Sequence, residues 1–209
     1  MSPPPQAAAP VVVGINGFGF GDANGRNHVD DIGRKLAAAI DAIRQQAGLP
    51  ATPVNYIPLE GGDGIHRDRL RRHMQDFAGD PAGGLILFGY SDGATTLYVE
   101  FREGRVRQAL GDARLTFVAF IDLVRLHMPS LGVNIDPDHK APLVDEQLIR
   151  AGKVYYQNHD FWKGHAGVGA LPAQEIHGVG HLDIIASPLL RQDLIDSASA
   201  AYRAFLGLA

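Results

Sequence analysis

The stretch Leu85-Ile86-Leu87-Phe88-Gly89-Tyr90-Ser91-Asp92-Gly93-Ala94 decides how this chain is read. It opens with four consecutive apolar residues, the signature of a strand buried on both faces. It then passes through Gly-x-Ser-x-Gly and continues into a helical pattern from about 93 to 101. The pentapeptide alone is weak evidence in a chain with 25 glycines. Its position between a buried strand and a helix gives it weight, because that context is what a strained nucleophile turn requires. Such a turn lifts the Ser91 hydroxyl above the sheet edge. It also aims the N–H of Asp92 at the place where an oxyanion would form. Side chains at the flanking glycine positions would collide with backbone. The competing reading is an ordinary strand–turn–helix junction with Ser91 as an N-cap.

Outward from this stretch the chain alternates. Val11–Ile15, Val54–Leu59, Leu115–Ile121, Val154–Gln157 and Gln174–His177 read as further strands. Residues 28–47 carry Val29, Ile32, Leu36, Ala39, Ile40 and Ile43 on one helical face. Polar residues 65–78 and the closing segment 188–206 also read as helices. Asn16–Asn27, with four glycines, reads as a loop. Residues 126–148, broken by Pro129, Pro137 and Pro142, read as an irregular excursion with short helical pieces. Residues 1–10 read as a flexible Pro/Ala-rich tail, and 11–209 as one α/β domain with a mostly parallel sheet and helices on both faces.

Composition narrows the function. A chain of 209 residues, 45% apolar and 20% charged, suits one globular domain. A net charge of −4 without a basic run argues against a nucleic-acid partner. The absence of cysteine excludes thiolate metal sites and a cysteine nucleophile. No apolar run spans a bilayer. The N-terminal residues lack a basic start and an apolar core, so they do not read as a signal peptide, and a cytoplasmic location is expected.

A serine hydroxyl needs a base. The segment His177-Gly178-Val179-Gly180-His181-Leu182-Asp183 lies late enough in the chain to supply one. His181 falls in a loop before the last helix, and His177 at a strand end. Two acids compete to orient the imidazole. Asp122 ends the apolar run Phe117–Ile121, and Asp160 follows Val154-Tyr155-Tyr156-Gln157-Asn158-His159. Asp122 is favoured, since a carboxylate at the tip of a buried run is costly to place without a partner.

With Phe88–Gly93, Phe120–Leu123, Val154–Gln157 and Gly180–Ile184 in view, the chain resembles the α/β-hydrolase superfamily, and within it small lipase-like or esterase-like proteins. Residues 11–209 are accordingly expected to form one α/β-hydrolase-like domain. The resemblance implies a triad of Ser91, His181 and Asp122, with Asp160 as alternative acid. It implies a second oxyanion donor in the loop after the first strand, around Gly17, Phe18 and Gly19. Tyr90 and Asp92 would face the substrate. The implied reaction is hydrolysis of a small ester or thioester without a cofactor. Two departures stand out. Asp92 is acidic where many relatives carry Gln, Gly or Met, and the chain leaves little room for a cap, which implies an open site. A catalytically silent fold that binds a ligand or partner is the alternative.

Three other patterns are weighed. Val11–Gly19 looks like the dinucleotide-binding opening of glyceraldehyde-3-phosphate dehydrogenases, but Asp22 stands where the third glycine belongs and would face a pyrophosphate. Asp30, Asp31, Asp63 and His66 could in principle hold a metal. Adjacent Asp30 and Asp31 diverge on a helix, however, so they read as first-turn acids favoured by the helix dipole. Arg67, Arg69, Arg71 and Arg72 read as a solvated helix face.

Overall fold

The computed structural model describes residues 9–17, 23–50, 52–61, 64–123, 127–128, 133–134, 144–159 and 164–208. Its centre is a six-stranded sheet. The strands are β1 (Val11–Asn16), β2 (Asn55–Glu60), β3 (Leu85–Tyr90), β4 (Phe117–Ile121), β7 (Gly152–Tyr156) and β8 (Ala173–Glu175). They lie in the order β2-β1-β3-β4-β7-β8, and every neighbouring pair is parallel. Helices α1 (Ala23–Gln46), α2 (Gly64–Gly79), α3 (Asp92–Arg102), α4 (Arg105–Leu110) and α5 (Pro188–Phe205) cover both faces.

The two-residue period of the strands sorts the apolar side chains into two cores. Val12, Ile86, Phe88, Phe117, Ala119 and Ile121 pack with Ile32, Leu36 and Ile40 of α1 and Leu190 and Leu194 of α5. Val13, Ile15, Leu85, Leu87, Val118 and Phe120 point the other way, onto Leu70 and Met74 of α2, Leu97 of α3 and Val106 of α4. Each such fully buried large side chain stabilises the fold by about 1.5–3 kcal/mol. The central strands are apolar throughout because both of their faces are covered.

Several expected boundaries move. Helix α1 begins at Ala23, inside the segment read as a glycine loop, because a helix held by a packed apolar stripe propagates into residues of poor propensity. Asp30 and Asp31 are therefore past its first turn, and their side chains find partners instead. Asp30 accepts from the Tyr56 hydroxyl at 2.9 Å, and Asp31 pairs with Lys35 at 3.0 Å and with Arg191. Helix α4 was not expected, being too short to show periodicity; Gly104 and Gly111, both with positive φ, bracket it. In the proline-rich excursion the described residues hold a small antiparallel pair, β5 (His127–Met128) with β6 (Val133–Asn134), and one short helical piece, a 3-10 turn at Glu146–Leu148. Leu115 makes only an isolated bridge to Ile149, so β4 starts at Phe117.

The arginine-rich helix is not simply a solvated face. Arg71 donates to both oxygens of Glu100, at 2.7 and 2.8 Å, and Glu100 is completely buried. Arg105 reaches the same carboxylate at 3.3 Å. This cluster ties α2 and α4 to α3, the helix that begins beside Ser91. Among the described residues, no helix is long and apolar enough to cross a membrane.

Candidate active site

Ser91 occupies the turn between β3 and α3 with φ 55° and ψ −120°. A β-carbon rarely tolerates positive φ, so the surrounding contacts must hold this conformation. They are tight. A Cβ on Gly93 would lie 2.1 Å from the Ile15 carbonyl oxygen, and one on Gly89 2.6 Å from that of Gly93. The Ser91 N–H donates to the Ile121 carbonyl at 2.9 Å, which ties the turn to the end of β4.

The same strand end carries Asp122, which is completely buried and also has positive φ, 48°. Its N–H donates to the Tyr155 carbonyl at 2.7 Å. His181 arrives from the loop between β8 and α5. Its Nε2 is 2.8 Å from Ser91 Oγ, and its Nδ1 is 2.6 Å from Asp122 Oδ2. Ser91, His181 and Asp122 thus form one continuous hydrogen-bonded chain across the C-terminal edge of the sheet. His177 stands apart. It lies in the turn beyond β8, mostly exposed, with Nδ1 3.3 Å from Glu175. The competing acid, Asp160, lies outside the described residues.

Two carboxyls at the site are held above the ordinary range. Burial pushes Asp122 up, against the opposing pull of His181 and of two donors from Gln157. Burial also pushes Asp92 up, and the positive charge of Arg67 offsets this only in part. Asp92 Oδ2 and Arg67 Nε are both buried without a hydrogen-bond partner among the described residues. Arg67 is thus a further departure from the solvated face expected for this helix.

Asp92 opens α3, so its N–H is among the helix amides with no internal carbonyl to meet. Gly17 follows β1 directly and presses on the nucleophile turn. A Cβ there would sit 2.9 Å from Ser91 Cβ and 3.3 Å from Oγ. Phe18, Gly19 and Asp22 lie outside the described residues. Tyr90 does not present its side chain to solvent as a substrate contact would. It is buried, its hydroxyl donates to the His181 carbonyl at 2.7 Å, and its ring stacks on the imidazole. Of the residues weighed as metal ligands, His66 accepts the Glu60 N–H on Nδ1 at 3.1 Å, and Asp63 is not among the described residues.

The parallel sheet, the Ser91 turn at the end of β3 and the late histidine loop make this an α/β-hydrolase fold. The chain superposes on human thioesterase 2 with a TM-score of 0.50 at 11% identity, covering 93% of this chain and 98% of that one. It also aligns with XC6422 from Xanthomonas campestris, a lidless serine hydrolase, with a TM-score of 0.43 at 15% identity over 97% and 86% of the two chains. Over 82 residues it is 39% identical to the probable carboxylesterase Culp3 of Mycobacterium tuberculosis. That match covers 36% of this chain and 30% of the relative's length. No family model matches the chain.

Proposed function

We propose that this protein hydrolyses carboxylic esters or thioesters through an acyl-enzyme on Ser91. The observation that carries this reading is the unbroken contact from Ser91 Oγ through His181 to Asp122, at 2.8 and 2.6 Å. His181 Nε2 takes the hydroxyl proton as Ser91 Oγ bonds to the acyl carbon. Asp122 holds the ring by Nδ1 and stabilises the imidazolium that results. The Asp92 N–H receives the negative oxygen, with a backbone N–H near Gly17 as the second donor. Collapse of this intermediate breaks the ester or thioester bond, and the leaving alcohol or thiol takes the proton from His181. Water then repeats the sequence on the acyl-enzyme and releases the acid. Exposed Leu182, the residue after His181, suits an apolar acyl group.

A fluorophosphonate probe tests the assignment, because it labels only an activated serine. The wild-type protein is expected to be labelled and to turn over short nitrophenyl esters. Ser91→Ala should lose both while keeping its melting temperature within a degree or two. Labelling of the mutant at the wild-type rate would place the nucleophile elsewhere. A folded wild-type protein that neither labels nor turns over would instead be a silent binding fold.

A further inference from the structure

Asp122 is a carboxylate at the end of a buried strand, and a group of that kind must be surrounded by donors. His181 supplies one. Among the described residues the others come from Gln157, just beyond the end of the adjacent strand β7. Its side-chain Nε2 donates to Asp122 Oδ2 at 3.2 Å, and its backbone N–H donates to Oδ1 at 3.3 Å. Gln157 is completely buried.

The sense of its amide follows from the network. Gln157 Oε1 accepts the His159 N–H at 2.8 Å. A flipped amide would set oxygen against the Asp122 carboxylate and N–H against N–H, two repulsive contacts in place of two bonds. The far side of the carboxylate is closed as well. A Cβ on Gly164 would lie 2.0 Å from Asp122 Oδ1, and the Gly164 N–H is bonded to the Gln157 carbonyl at 3.3 Å. Among the described residues, the polar contacts of this carboxylate beyond His181 come from Gln157.

We propose that Gln157 is the positioning residue for Asp122, fixing the plane of the carboxylate so that Oδ2 meets His181 Nδ1. The inference rests on the hydrolase reading above for its catalytic meaning. Its electrostatic part stands independently of turnover. Two hydrogen bonds to the ionised form favour that form against the burial that opposes it. A neutral amide does this without adding a second charge to the slot.

The experiment compares wild-type protein with Gln157→Leu and Gln157→Glu by following the Asp122 carboxyl carbon resonance against pH, alongside ester kinetics. In Gln157→Leu the Asp122 midpoint should rise by about one pH unit or more. Its kcat should fall about ten- to a hundredfold with KM unchanged. In Gln157→Glu the new carboxyl can donate only while protonated. Activity relative to wild-type protein should therefore be best retained at lower pH and decline as the pH rises, giving a falling limb that wild-type protein lacks. An Asp122 midpoint within roughly 0.3 unit of wild type in a folded Gln157→Leu protein would overturn the proposal. If that variant does not fold, an unchanged pH profile in Gln157→Glu would overturn it equally. If wild-type protein lacks esterase activity, the hydrolase reading fails, and the Asp122 titration still decides the part played by Gln157.

Discussion

The Tyr90 hydroxyl lies 2.7 Å from the carbonyl oxygen of His181, and the two rings stack with centroids 5.5 Å apart. Tyr90 precedes Ser91 in the chain, so the strand that presents the hydroxyl also holds the loop that presents the imidazole. The distance between Ser91 Oγ and His181 Nε2 therefore depends on a side chain inside the core, not on the loop alone. Tyr90→Phe keeps the ring stack and removes one hydrogen bond. We expect a stability loss of about 1 kcal/mol and a kcat loss of about tenfold, with KM unchanged. Steady-state kinetics and thermal melts check this. A raised KM with intact kcat would return Tyr90 to the substrate-contact role expected from sequence.

Asp122→Asn removes the charge and leaves the shape. An amide at this position can favour the wrong imidazole tautomer, so the loss in kcat should be on the order of 10³- to 10⁴-fold. Asp160→Asn should leave kcat within a fewfold of wild type. Parallel kinetics on the two variants decide the matter, and the reverse order of effects would assign the acid to Asp160.

Asp92 makes a prediction about pH and stability. Its carboxyl is held above the ordinary range by burial, with Arg67 opposing in part. Between the unfolded and folded values the native state binds more protons than the unfolded one, so stability falls as pH rises through that window. The contribution is fully present below the unfolded carboxylate value and is lost above the raised one. Asp92→Asn cannot ionise. It should therefore melt higher than wild type at pH 7, with the advantage shrinking toward pH 4. Thermal melts across that range test it, and a constant offset between the two proteins would show that ionisation of Asp92 is not the cause.

The Glu100 cluster predicts an asymmetry. Arg71 makes the short two-pronged contact to this fully buried carboxylate, while Arg105 makes one contact at 3.3 Å. Arg71→Ala leaves a buried charge largely uncompensated and should cost about 3 kcal/mol in urea unfolding. Arg105→Ala should cost about 1 kcal/mol or less. Equal losses would mean that Arg71 is not the main counter-charge.

The sheet and the nucleophile turn were legible because their signals are local. Buried parallel strands must be apolar on both faces, and Leu85–Phe88 and Phe117–Ile121 are. The helical stripe of α1 is equally explicit, although its start at Ala23 was not, since glycines hide a helix end that tertiary packing extends. Helix α4 and the β5–β6 pair were not legible, because two to six residues are too few to show a period.

The sequence by itself determined the alternation of strands and helices, the placing of Ser91 at a strand–helix turn, and a short roster of histidines and acids beyond it. Only the tertiary structure decided which of these meet. His181 lies far along the chain from Ser91, and it reaches Ser91 and Asp122 because β3 and β4 are neighbours and Tyr90 anchors the loop. Gln157 ends the Val154–Gln157 stretch, but nothing in that stretch says what its side chain meets. Its contact with Asp122 exists because β7 lies beside β4, and strand order is set by long-range packing that no local pattern encodes.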